Sequence, residues 1–239
     1  MLSILTRQFL FKKNEIWFYK DAPVEHAAYT SYCYVIGKPP SKPDSTLNEF
    51  TTIIDLTGPE ERLFNAINDT FRYHIRKAEA LDLEYVHISK PSTEECFKVI
   101  QKFNAFAERK EILPMNKKRI FALQAMNHLY ITKILQNNKT IATHVYLHDN
   151  ERILLMHTFH DEPLQLTTLD GYANKYLHWK DILLFKEKGF KLYDFGGIDQ
   201  KKLPGISNFK LSFGGKIESV NSYIKVSPFL KLLYKLLKK

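Results

Sequence analysis

Between residues 129 and 159 the apolar side chains fall into three short runs, LYITKIL, TIATHVYL and RILLMHTF, separated by QNNK and HDNE. Runs of this length, rich in β-branched residues and joined by Asn-containing turns, predict three strands that pair as antiparallel neighbours. The first fifty residues read in the same way. FLF and IWFY flank KKNE and predict a hairpin, while AYTSYCYVIG and EFTTIIDL predict further strands. KPPSKPDS (38–45) carries three prolines and predicts an exposed loop. From residue 57 the period lengthens. Thr57 and Glu60 stand at capping-box spacing before EERLFNAINDTFRYHIRKAEAL, which continues with helical spacing. EYVHI then reads as a strand, and Ser92 with Glu95 opens a helix to about Lys110. A further helix is expected near 117–127, and another from about Tyr172 to Lys188, closed by Gly189 before the strand FKLYDF. The order strand-strand-strand-loop-helix-strand after residue 129 implies an α+β, or mixed α/β, domain. There is no internal repeat.

Composition adds a preference in partners. Hydrophobic residues make up 44% of the 239-residue chain and aromatics 13%, which marks a globular protein with ample core. Lys and Arg number 35 against 26 Asp and Glu, a formal charge of +9. That excess favours anionic partners such as nucleotide phosphates, pyrophosphate-linked lipids, tRNA or an acidic membrane surface, with solubility charge as the plainer account. Cys33 and Cys96 are the only cysteines and suit a reducing compartment. No HExxH or Cys-x-x-Cys spacing occurs, so no metal is expected. The N-terminal apolar run is broken by Arg7, and no window reaches the roughly 18 apolar residues of a spanning helix. A cytoplasmic protein is expected, at most peripheral on the inner membrane face.

Candidate chemistry gathers in the second half. Thr167, Thr168, Asp170 and Gly171 link a strand to the start of a helix, where free N–H groups can bind phosphate, although a capped loop without ligand has the same look. Asn174 and His178 lie four residues apart on one helical face with Trp179 beside them, suiting either a cleft wall or core packing. Asp194 ends a strand before Gly196 and Gly197, a position suited to ligand binding or to capping the turn. Phe209 and Lys210 follow, between that glycine pair and Gly214–Gly215. Arg72 and Arg76 share a helical face and could fork around a phosphate or simply face solvent.

Taken together these segments resemble a known family. TTIIDLTGPEERLFNAINDTFRYHIRKAEAL, ANKYLHWKDILLFKEKGFKLYDFGGI and GISNFKLSFGG are similar, in the same order over about residues 50–225, to the Fem family of peptidoglycan-bridge aminoacyltransferases and its short acetyltransferase-like relatives. The resemblance implies a GNAT-like acyltransferase fold in two related halves and transfer of an acyl group to an amine. It implies acyl-CoA or aminoacyl-tRNA as donor, and an acceptor that is a nucleotide- or lipid-linked glycan precursor of the cell envelope. It puts Phe209 and Lys210 at the reaction centre, with the glycines letting backbone close around it. Lys210 would stabilise the oxyanion, and Asp194 or a nearby His would take the amine proton. Thr168, Gly171, Ala173 and Asn174 would bind the donor; Arg72, Arg76, His178 and Trp179 would bind the acceptor.

Two departures qualify the match. The chain is shorter than two-domain Fem enzymes, so a reduced N-terminal half is expected over 1–90, with the acyltransferase domain over 91–226. In TLDGYA, Thr168 stands where CoA-binding loops carry Gln or Arg. A non-catalytic GNAT-like module that holds the same glycan is the alternative. Residues 227–239 predict a basic amphipathic helix, with Leu230, Leu233, Tyr234 and Leu237 as its stripe, widened by Leu232 and Leu236. Such a helix suits an anionic membrane surface, or core packing.

Overall fold

The computed structural model describes residues 1–8, 11–19, 27–35, 42–160 and 168–237. The elements divide between two compact units, Met1–Thr51 with Glu218–Lys239, and Thr52–Ile217. Residue 90 lies inside the second unit. The mixed α/β class agrees with the sequence pattern.

In the first unit, β1 (Leu2–Gln8) and β2 (Phe11–Trp17) pair antiparallel, with Gln8 opposite Phe11. KKNE is therefore strand rather than hairpin turn, and residues 9–10 of FLF lie outside the described residues. Polar residues sit in that strand because they are partnered: Ser3 Oγ donates to Asn14 Oδ1 at 2.9 Å, and Lys13 pairs with Glu15 at 2.9 Å. β3 (Tyr29–Val35) joins β2 in parallel, and β10 (Lys216–Val226) pairs antiparallel with β3. β4 (Ser45–Asp55) starts in this unit and ends in the other. Residues 38–41 of the proline loop lie outside the described residues. The unit closes with α7 (Pro228–Leu237), whose Ser227 Oγ accepts from Leu230 N.

In the second unit the strand order is β4-β9-β8-β7-β6-β5, built from β5 (Glu84–Ile88), β6 (Leu129–Gln136), β7 (Lys139–His148), β8 (Arg152–Phe159) and β9 (Leu192–Ile198). β5 to β8 run as antiparallel neighbours, with Asn137 and Asn138 both at positive φ in the β6–β7 turn, as hairpin geometry demands. The predicted helix after residue 57 is two helices, α1 (Glu60–Ala66) and α2 (Asp69–Glu79). Thr57 caps neither; its N–H and Oγ1 both bond Asp55 Oδ1, and the N-cap of α1 is Pro59. The break comes at Asn68, whose Oδ1 accepts from Phe71 N at 2.8 Å and starts α2. α3 (Thr93–Arg109) has the Ser92/Glu95 capping box, and its buried Cys96, Val99, Ile100, Phe103 and Ala107 follow helical spacing. α4 (Lys117–Ala125) matches expectation, and α5 (Thr168–Glu187) begins four residues before the predicted start. α5 delivers Trp179, Ile182 and Phe185 to a core shared with Tyr146, Ile153, Tyr193 and Phe195 of the sheet.

Candidate functional site

The cleft is set by two strands that part. β8 and β9 are parallel neighbours, yet their register holds only over Arg152–Leu192, Ile153–Tyr193 and Leu154–Asp194. Both strands continue, to Phe159 and Ile198, beyond the last register pair given between them, while β8 stays paired with β7 as far as Phe159. Backbone amides and carbonyls past that point on β8 can pair with an inserted ligand instead of a neighbouring strand. α5 begins just after β8 and brings its N-terminal turns to the site.

Asp194 holds the last paired position. Its carboxylate is fully buried; Oδ2 accepts from Arg152 Nε at 2.9 Å and from Arg152 Nη2, and Oδ1 accepts from Gly196 N at 2.8 Å. Gly196 sits at φ +73, a conformation that few residues other than glycine adopt, so the chain can turn out of β9 there. With both oxygens committed, Asp194 braces the turn.

The sequence reading missed a helix, α6 (Pro204–Leu211), which carries Phe209 and Lys210. Asp199 Oδ1 accepts from the N–H groups of Lys201 (3.1 Å) and Lys202 (2.9 Å), and Pro204 starts the helix. α6 thereby returns over β9, and Lys210 Nζ donates to Gly197 O at 2.7 Å and to Gly196 O at 3.4 Å. Burial lowers the Lys210 ammonium to about 8, opposed by the Asp194 charge. The second glycine pair has another purpose. A Cβ on Gly214, at φ +80, would stand 2.6 Å from Ala66 O, and one on Gly215 would stand 2.5 Å from Thr52 Cγ2. These glycines answer close packing on the scaffold and do not wrap the reaction centre.

The Phe209 ring lies 5.3 Å from Phe71, 5.6 Å from Phe213 and 5.5 Å from His178. Lys175 Nζ sits over Phe71 at 4.8 Å and Phe209 at 5.9 Å, and donates to Gly171 O at 2.8 Å. Burial lowers its ammonium too. Two half-buried lysines thus stand near His178, Lys175 over the Phe209 ring and Lys210 on the Gly196–Gly197 carbonyls, and their charges attract an oxyanion or a phosphate. Lys175 was legible as the fifth residue of an i, i+4 step from Gly171, yet lysine on a helix reads as surface.

Other expected residues divide. Asn174 is half-buried, 3.2 Å from His144 Nε2, and His178 is buried beneath Phe209, so both line the site. Gly171 is exposed on the first turns of α5, with room for a side chain. Ala173 is buried against Leu177 and Ile134 and forms core. Thr168 opens α5, but its side chain lies outside the described residues, as does segment 161–167. Trp179 is core, 5.0 Å from Phe64, which corrects its assignment to the acceptor. Arg72 Nη1 donates to Asn65 O (2.8 Å) and Ile67 O (2.7 Å), and Nη2 to Asp69, clamping the α1–α2 corner. Arg76 lies over Phe64 at 5.3 Å. The two guanidiniums hold separate partners, so the expected phosphate fork is not formed.

No family model matches this chain, and no curated protein matches it. Solved structures do. FemX superposes with a TM-score of 0.61 at 12% identity, covering 80% of this chain, which spans 64% of FemX. A C-terminal domain described as that of a lysylphosphatidylglycerol synthetase from Agrobacterium fabrum gives 0.55 at 8% identity, over 86% of this chain and 70% of that one. L-PGS from Bacillus licheniformis gives 0.52 at 12%, over 79% and 64%. At such identities the likeness is one of fold, and the fold of this chain is the one it shares with FemX and these synthetase domains.

Proposed function

We propose that this chain transfers an acyl group, acetyl or aminoacyl, to an amine of a nucleotide- or lipid-linked glycan precursor of the cell envelope. The observation that carries the reading is the end of the β8–β9 register beside α5, with Lys175 over the Phe209 ring and Lys210, the next residue of α6, held on Gly197 O. An acyl carbonyl in that opening meets cationic and backbone donors where its oxygen gains charge. The acceptor amine attacks the thioester or ester carbon directly, and Lys210 stabilises the oxyanion. Asp194 keeps the Gly196–Gly197 turn, and hence the Lys210 anchor, in place. The donor is acyl-CoA or aminoacyl-tRNA, with Gly171 and Asn174 at the α5 end of the cleft. Labelled acetyl-CoA or charged tRNA, offered with a panel of amino-sugar nucleotides, tests the reading. A protein that only binds the glycan would gain thermal stability from an acceptor and transfer no label.

The donor can be separated without turnover. If the first turns of α5 cradle a pyrophosphate, saturating CoA raises the melting temperature by linkage. Gly171→Val should fold, since a Cβ there meets nothing closer than Lys175 Nζ at 3.7 Å, and should lose that shift by blocking backbone approach. No shift in the wild type points to tRNA as donor.

α7 gives the membrane reading a particular face. The predicted stripe is divided: Leu230 is buried, whereas Leu232 and Leu236 are exposed at 57% and 63% and share one side, at i, i+3 and i+7, with Phe229, which lay outside the predicted stripe and is exposed at 65%. Lys231 pairs with Asp44, and Lys235 and two terminal lysines add positive charge along the sequence. An apolar face with basic flanks suits an anionic lipid interface, where a lipid-linked acceptor would lie. One similar structure is described as the C-terminal domain of a lysylphosphatidylglycerol synthetase. Vesicles of anionic phosphatidylglycerol should co-sediment the protein at low salt, and F229S/L232S/L236S should abolish this while leaving the fold intact. Equal binding by both proteins would remove α7 from the account.

A further inference from the structure

Asp181 lies within ANKYLHWKDILL without a role of its own in the sequence reading, yet it is fully buried on α5, where three polar side chains meet its carboxylate. Tyr85 OH donates to its Oδ1 at 2.8 Å and Tyr146 OH to its Oδ2 at 2.6 Å, while His144 Nδ1 lies 2.7 Å from Oδ2. A carboxylate only accepts, so His144 carries a proton on Nδ1, while its Nε2 lies 3.2 Å from Asn174 Oδ1. Tyr146 has one proton, committed to Asp181. At 2.8 Å from Tyr193 OH it must therefore accept, and Tyr193 donates. The Tyr193 oxygen lies 3.0 Å from His178 Nδ1 and, its own proton used, accepts from it. His178 is thus protonated on Nδ1, with the lone pair on Nε2. The three phenols hold their protons, because burial and the Asp181 charge push each above the ordinary tyrosine range.

We propose that this one-way donor chain, anchored on Asp181, makes His178 Nε2 an obligate hydrogen-bond acceptor beneath Phe209, where it takes an N–H of the incoming amine and aims the amine lone pair at the acyl carbon. The inference rests on the acyl-transfer reading above. The imidazole is enclosed by His144 at 4.2 Å, Phe195 at 5.0 Å, Phe213 at 5.1 Å and Phe209 at 5.5 Å. The titratable and charged groups around it are Lys175 and Asp181 from its own helix, His144 from β7, Tyr193 and Asp194 from β9, and Lys210 from α6. Burial first, then His144, Lys210 and Lys175, hold the imidazole well below the ordinary histidine range, so it stays neutral. A neutral acceptor beside two lysines disfavours an ammonium and admits the free base, which is the nucleophilic form. In the reaction the N–C bond forms as the donor's C–S or C–O bond breaks. The proton lost by the amine passes to the departing sulfur or oxygen, and His178 ends neutral.

In this scheme Asp181, Tyr146 and Tyr193 are positioning residues. Long-range ¹H–¹⁵N correlation spectra of histidine-labelled protein read the tautomer directly, without substrate. The wild type should show His178 protonated at Nδ1, with ¹⁵N shifts constant from pH 5.5 to 9. Tyr193→Phe keeps the ring and removes the acceptor oxygen. It should release the proton to Nε2 and lower kcat on the order of 10²-fold with the acceptor KM little changed. An Nε2-protonated His178 in the wild type would overturn the proposal. So would a Tyr193→Phe protein whose tautomer switches while turnover stays at the wild-type value. Failure of every donor to yield product would sink the acyl-transfer reading instead, and the spectra would still decide the donor chain.

Discussion

Lys210→Met is expected to fold, to be at least as stable as the parent at pH 7, and to turn over about 10²–10³-fold more slowly. The two effects share one cause. Lys210 is half-buried, and its ammonium is lowered to about 8, against about 10.4 for an unhindered lysine. Below pH 8 the folded protein holds a charge that burial disfavours. Between about pH 8 and 10.4 the folded state binds fewer protons than the unfolded one, so the stability of the parent rises with pH through that window. Met removes the charge, and its stability should lack this rise. The stabilising effect is therefore largest below pH 8 and shrinks above it, opposed by the loss of the bonds to Gly196 O and Gly197 O. Turnover has the opposite dependence. If the charge of Lys210 stabilises the oxyanion, kcat of the parent falls as pH rises through about 8. Urea melts at pH 7 and pH 9.5, with a kcat profile over the same span, check both. A kcat that instead rises through pH 8 would make Lys210 a base, and Lys210→Met turning over within twofold of the parent would remove it from the chemistry.

What the sequence disclosed depended on how local the cause was. The β6–β8 strands were legible because their runs are short, apolar and rich in β-branched residues and the Asn137–Asn138 turn states its own geometry. α3 was legible because Ser92 and Glu95 satisfy each other within four residues. Thr57 and Glu60 have the same spacing, but Asp55 engages Thr57 first, and the helix begins at another residue. The polar KKNE run reads as a turn until Ser3, on another strand, supplies a partner for Asn14. α6 is short and contains Pro204, Gly205 and Ser207, weak helix formers, so only its return over β9 explains it. The candidate site divides along the same line. Phe209 and Lys210 stood out from the glycine pairs around them and from the family resemblance. Asn174 and His178 showed their i, i+4 relation, and one more step along that face reaches Asp181. Its partners come from two strands, Tyr85 from β5 and His144 and Tyr146 from β7, however, and no window of sequence joins them to it.

Asp194→Ala should be the most destabilising single change in the site, costing about 3–5 kcal/mol, because it leaves the buried Arg152 guanidinium without its carboxylate. The same change frees Gly196 N, which gave its hydrogen bond to Oδ1, and loosens the turn that carries the Lys210 acceptors. Asp194→Asn keeps the shape and one acceptor oxygen but not the charge, so a smaller loss is expected, with part of the turnover retained. The double variant R152M/D194L removes both charges and fills similar volume. It should recover much of the stability lost in Asp194→Ala, since the cost lies in the orphaned cation more than in the absent pair. Its activity separates scaffold from chemistry. Were Asp194 the proton acceptor, the double variant would be as inactive as Asp194→Ala however stable it became. As a brace for the Gly196–Gly197 turn, it can be replaced in part by anything that holds that turn, and turnover should recover along with the denaturation midpoint. Equilibrium urea unfolding of the four proteins, with kcat on the same preparations, reads both quantities. An Asp194→Ala protein as stable as the parent would show that Arg152 finds another anion, and the brace would then have to be sought elsewhere in the turn.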